Sequence, residues 1–167
     1  MLSTTRYAKH LTAGKMLADG DKARAAGRTD AAMKSLRAAL VLAPHATRLH
    51  LKLGFWLVGA QRHEEALTHL RKAALHHPKL RDSHYGLGVV LANLGRHAEA
   101  WSSLEKALTL DPPLTDPFQA TVLGAAAAVL RQWEGKGGAP EGKAQQAAKQ
   151  YSEAAAKTAE LVKNVKS

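Results

Sequence analysis

The chain has 167 residues, 46% of them apolar but only 5% aromatic, with 24 basic against 14 acidic side chains and a formal charge of +10. That length suits a single domain whose core is filled mainly by Ala, Leu and Val. The absence of cysteine excludes disulfides, thiolate metal sites and a cysteine nucleophile, and no apolar run approaches the roughly 18 residues of a membrane span.

Met1 to His10 lack a signal-peptide core, so a cytoplasmic setting is expected. The charge is uneven. Residues 1–44 carry eight basic and three acidic side chains, residues 45–78 five and two, residues 79–112 four of each, and the remainder seven and five. An excess in the first half suits an acidic partner or surface, although Lys and Arg are also the ordinary solvated coat of an Ala-rich helix.

Residues 13–44 open a series of units with a period of 34, marked by Pro44, Pro78 and Pro112. In this first unit Asp19-Gly20 precedes a turn at Gly27-Arg28, and Ala32, Leu36 and Ala39 lie on one face of a second helix. The second unit, 45–78, repeats the plan with Leu53-Gly54 and Leu57, the turn Ala60-Gln61-Arg62-His63, then Ala66, Leu70 and Ala73. The third, 79–112, has Leu87-Gly88 and Leu91, Leu94-Gly95-Arg96-His97, then Ala100, Leu104 and Ala107. Each unit therefore reads as an antiparallel helix pair. Gly27 and Gly95 can take the left-handed conformation that ends the first helix, proline stops the second, and small residues let the two approach closely.

After Pro112-Pro113 an apolar helix is expected over about 115–134, including Phe118 to Leu130, with no second helix following in register. A Gly-rich linker over 135–142 precedes an amphipathic helix in 143–167. There Ala144, Ala147, Tyr151, Ala154, Thr158, Leu161 and Val165 alternate three and four apart as an apolar seam. Because an uncapped terminal repeat exposes its core face, these two helices are read as a capping hairpin, with partner docking as the alternative.

The columns Leu-Gly, Ala with a large residue four later, then Ala and Pro resemble the tetratricopeptide repeat family over residues 45–112, and more weakly over 13–44. His50 and His84 stand where the family has Trp, and Leu57 and Leu91 where it has Tyr. The resemblance implies an all-α fold, a right-handed superhelical stack of three such units plus C-terminal helices, and no enzyme activity. It also implies a concave groove lined by the first helix of each unit. Carried over by register, that groove takes Leu17, Asp21 and Arg24, then Arg48, Leu51, Lys52, Phe55 and Val58, then Asp82, Tyr85, Val89, Ala92 and Asn93. Such a surface, apolar with charges at one edge, suits an amphipathic or extended peptide. The partner-binding set implied is Leu17, Arg24, Arg48, Leu51, Lys52, Phe55, Val58, Tyr85, Val89 and Asn93.

Some members of that family grip acidic tails of heat-shock proteins through a clamp of Lys, Asn and Arg. At the matching positions stand Leu17, Asp21, Lys52, Asp82 and Gly86, of which only Lys52 fits, so no such clamp is expected. The architecture is also similar to type III secretion chaperones, which are expected to be acidic.

Apparent chemical motifs have plainer explanations. Gly137 to Lys143 has phosphate-loop spacing, but Ala144 replaces the magnesium-holding hydroxyl and a helix precedes it. The histidines at 50 and 84, and at 63 and 97, recur with the scaffold and lack acidic or thiol neighbours, so no metal or cofactor is expected. His76-His77 suits a helix C-terminus. Asp82-Ser83-His84 are consecutive helical residues pointing about 100° apart, which cannot form a catalytic relay. The leading expectation is a protein-binding scaffold or assembly chaperone for a protein or peptide, including an acidic one. Two alternatives are nucleic-acid or acidic-surface binding through the basic half, disfavoured by sparse stacking aromatics, and a self-assembling homo-oligomer.

Overall fold

The computed structural model describes residues 2–110 and 117–165, and among these it contains α-helices and no strand. Pro112, Pro113 and Thr115 lie outside the described residues, as do the side chains of Thr158, Leu161 and Val165. The helices are α1 (Leu2–Ala25), α2 (Thr29–Leu42), α3 (Thr47–Gly59), α4 (His63–His76), α5 (Arg81–Asn93), α6 (His97–Thr109), α7 (Pro117–Glu134) and α8 (Lys143–Val165). They form two compact units, Met1–Pro78 and Lys79–Ser167. No helix among the described residues is long and apolar enough to cross a membrane.

In the first unit α1 pairs with α2, α3 pairs with α4, and α2 packs on α3. Both hairpins turn in the same way. The Arg28 amide donates to the Ala23 carbonyl and the Arg62 amide to the Leu57 carbonyl, each at 2.9 Å. This closes the last turn of the first helix around a left-handed residue. That residue is Gly27 at φ +74° in one hairpin and Gln61 at φ +60° in the other. The second helices stop where a proline forbids helical geometry to its predecessor: Ala43 before Pro44 and His77 before Pro78 both sit at φ −135°.

Close approach within each pair depends on glycine. A Cβ on Gly20 would lie 2.6 Å from Leu36 Cδ1, and one on Gly54 would lie 2.6 Å from Leu70 Cγ. Leu36 and Leu70 are fully buried, as are Ala32 and Ala39 around the first and Ala66 and Ala73 around the second. Burying each leucine contributes about 2 kcal/mol, so the hairpin is held by a large side chain seated on a bare stretch of backbone.

In the second unit α5 pairs with α6, α7 pairs with α8, and α7 packs on α6 and touches α5. The first pair repeats the scheme, with Gly88 against fully buried Leu104 and a left-handed Gly95. The second pair had no counterpart in the repeat register, yet it carries the same face. Gly124 faces the Tyr151 ring at 3.1 Å from a built Cβ, and buried Ala147 and Ala154 stand four before and three after Tyr151. That is the spacing of Ala66, Leu70 and Ala73. Gly137 at φ +73° and a Gly138 amide donating to the Trp133 carbonyl at 3.2 Å reproduce the hairpin turn. Ala127, Leu130, Ala144 and Ala147 form its core, with Trp101 and Trp133 against them.

Candidate functional site

In the first unit the face of α1 and α3 carries Leu17, Asp21, Arg24, Arg48, Leu51, Lys52, Phe55 and Val58. Leu17, Leu51, Phe55 and Val58 are half-buried, whereas Arg24 and Arg48 are exposed. Lys52 Nζ donates to both carboxylate oxygens of Asp21, at 2.5 and 2.6 Å. The Arg24 guanidinium lies 5.3 Å and the Lys52 ammonium 5.7 Å from the centre of the Trp56 ring. Such contacts are worth about 0.5–1 kcal/mol each at partly exposed sites. They hold two cations at one edge of the apolar residues. Trp56 was not among the residues given by register, because it follows Phe55 and so faces mainly inward, where it is 8% exposed.

In the second unit Tyr85 does not lie open. Phe118 of α7 meets it edge-on, with ring centroids 5.3 Å apart and planes at 72°, and the Arg81 guanidinium lies 4.5 Å from the Phe118 centroid. Burial raises the Tyr85 hydroxyl above its ordinary pKa, keeping it protonated. One turn further along α5, Val89, Ala92 and Asn93 face Ala125, Ala128, Val129 and Gln132 of α7 across a half-open cleft of about 200 Å³. Register had given three of these residues. The α7 wall was missed, although treating Phe118 to Leu130 as the first helix of another hairpin would have supplied it. The cleft is walled by small and branched apolar side chains, with Asn93 and Gln132 as its amide donors and acceptors.

The chemical motifs resolve into scaffold parts. Ser83 Oγ donates to the Leu80 carbonyl at 2.6 Å, at the start of α5. Gly137 and Gly142, both left-handed, form the α7–α8 turn. Among the described residues, no group of three or more His, Asp or Glu side chains is placed to hold a metal ion.

Two tetratricopeptide repeat models match the sequence, one over residues 23–87 and the other over 82–113. The chain belongs to the tetratricopeptide repeat family. This tetratricopeptide repeat protein is similar in structure to MamA, at 22% identity and TM-score 0.71, covering 90% of this chain and 81% of that one. A MamA structure designated AMB-1 is 28% identical, with TM-score 0.66 and coverage of 83% and 75%. The Sgt2 tetratricopeptide domain from Aspergillus fumigatus is 18% identical, with TM-score 0.68 and coverage of 75% and 81%. No protein of curated function matches the sequence.

Proposed function

We propose that this tetratricopeptide repeat protein is a non-enzymatic, cytoplasmic interaction module or assembly chaperone that holds an extended or helical segment of a partner protein against the first helices of its hairpins. The cleft between α5 and α7 carries the reading. Its apolar walls accept a partner side chain, its alanines let a partner backbone come close, and Asn93 and Gln132 can hold main-chain amides. On α8 the exposed Gln145, Gln146, Lys149, Gln150 and Glu153 suit the solvent-facing side of a capping hairpin. In the first unit the exposed Arg24 and Arg48 beside half-buried Leu51, Phe55 and Val58 favour a partner segment that mixes acidic and apolar residues.

Val89→Asp places a charge in the cleft without touching the Gly88–Leu104 contact. Partners captured by the wild-type chain under gentle crosslinking should be lost by this variant at least tenfold while its helical circular dichroism is unchanged. Unaltered capture by a folded Val89→Asp protein would remove the cleft from the binding surface.

A further inference from the structure

Four histidines converge in the first unit, from the α2–α3 turn (His45), α3 (His50) and α4 (His69 and His76). His50 is almost fully buried, at 3% exposure. Its Nε2 lies 2.9 Å from the Pro44 carbonyl and its Nδ1 lies 3.0 Å from His69 Nδ1. A carbonyl can only accept, so Nε2–H of His50 donates to Pro44, its Nδ1 is a lone pair, and Nδ1–H of His69 donates to it. The His45 and His76 rings meet edge-on with centroids 5.1 Å apart, and His76 stacks 6.2 Å from His50. Three segments are thus fastened through imidazoles.

The scaffold does not demand this cluster. One period away from His69 stand Ser35 and Ser103, one period from His50 stand Met16 and His84, and one period from His76 stand Leu42 and Leu110. Only the second hairpin assembles the set.

We propose that the His50–His69 pair is an acid-operated latch, in which proton uptake by the two rings releases α3 from α4 and frees the 43–46 turn, opening the first unit while the α5–α6 hairpin stays folded. The 3.0 Å gap holds one N–H. If both rings were cationic, two N–H donors would face one another there, so full protonation and the closed geometry are incompatible. The charged and titratable neighbours act in the same direction. Lys72, His76 and His45 oppose charge on His50, and Lys72 and Arg37 oppose it on His69. Glu65 alone favours a cationic His69, and its carboxylate is already engaged by Arg37 and Arg62, each at 2.5 Å. Burial is the largest influence on both rings. It lowers His50 despite the bond to Pro44, and together with His50, Lys72 and Arg37 it brings His69 down to about 4 from 6.5.

The sign follows from linkage. An opened His69 binds its proton near 6.5 and a latched one near 4, so acidification across that window favours opening, by about 30-fold at pH 5. Hydrogen exchange on the full chain, corrected for the intrinsic pH dependence of amide chemistry, reads this directly. Between pH 7 and pH 5 protection of the amides in 47–76 should fall about 20-fold, while α5–α6 amides should hold. His69→Asn keeps an N–H donor near the Nδ1 position without a titratable ring and should reduce the acid effect to under threefold. Equal protection of 47–76 at both pH values, equal losses in α5–α6, or a folded His69→Asn protein as acid-sensitive as wild type would overturn the latch. Should that variant fail to fold, imidazole NMR titration of the wild-type chain decides. Rings of His50 and His69 that remain neutral at pH 5.5 support it, and midpoints above 6 for both refute it.

Discussion

Alanine substitution at two glycines of the first unit should have opposite effects, because one glycine fills a structural need and the other does not. Gly14 lies inside α1 with nothing within 4 Å of a built Cβ. Gly14→Ala should therefore gain the full difference in helix propensity, about 1 kcal/mol. Gly54 lies inside α3, where a Cβ would sit 2.6 Å from Leu70 Cγ and 2.8 Å from Cδ2. Leu70 cannot retreat, since it is fully buried between Ala66 and Ala73, which are themselves fully buried. Overpacking of this kind costs about 1–3 kcal/mol, and a branching carbon in the way places the cost in the upper half. After the propensity gain, Gly54→Ala should lose about 1–2 kcal/mol. Urea unfolding followed through Trp56, the one tryptophan of residues 1–78, gives both values. Combining Gly54→Ala with Leu70→Ala, which alone should lose about 2–5 kcal/mol, should cost less than the sum. If Gly54→Ala were as stabilising as Gly14→Ala, the account of how the hairpins close would be wrong.

Other consequences concern the turn and the charges. Gln61 holds φ +60° where the neighbouring hairpins use glycine. Gln61→Gly should relieve about 1–2 kcal/mol of left-handed strain and give back about half of it as chain entropy, a net gain of about 0.5–1 kcal/mol in thermal unfolding. Glu65 is lowered from its ordinary pKa: burial, its largest single influence, works upward but is outweighed by the Arg37 hydrogen bond and by the charges of Arg37, Arg62 and His69. Its contribution is therefore present above the ordinary carboxylate range and lost as pH falls through it. Glu65→Gln should flatten the acid limb of the stability curve below about pH 4.5 by at most about 1 kcal/mol, given its partial exposure. In the second unit Trp133→Ala should loosen the α7–α8 turn, which rests on that ring, and should lower α8 helicity by circular dichroism.

The three repeating hairpins were legible because the glycine–leucine contact that closes each of them is made by residues in fixed columns. Gly54 with Leu70 and Gly88 with Leu104 are sixteen positions apart, as are Gly20 and Leu36. The last pair was expected as a capping hairpin, but its repeat-like face was not legible, since Gly124 and Tyr151 are twenty-seven apart. A longer α7 and the 135–142 turn shift the second helix out of register while keeping its face. The 135–142 segment therefore read as a Gly-rich linker within that capping pair, with no left-handed closure assigned to Gly137.

Register likewise assigned residues to the faces of α1, α3 and α5 but could not say what stands opposite them. Phe118 against Tyr85, Asp21 against Lys52 and Gln132 across from Asn93 depend on neighbours far along the chain. The histidines show the converse. The recurrence of His50 at His84 suggested a scaffold position, whereas the decisive partner His69 has no recurrence at all.

Site-specific photocrosslinking in the native cell tests the interaction reading most directly, with the photoreactive residue placed in turn at Asn93, at Gln132 and at Glu105 on the exposed side of α6. The account predicts covalent adducts to another polypeptide from Asn93 and Gln132, abolished by Val89→Asp, and none from Glu105. Equal yields from all three positions, adducts to nucleic acid, or cleft adducts that survive Val89→Asp would contradict it.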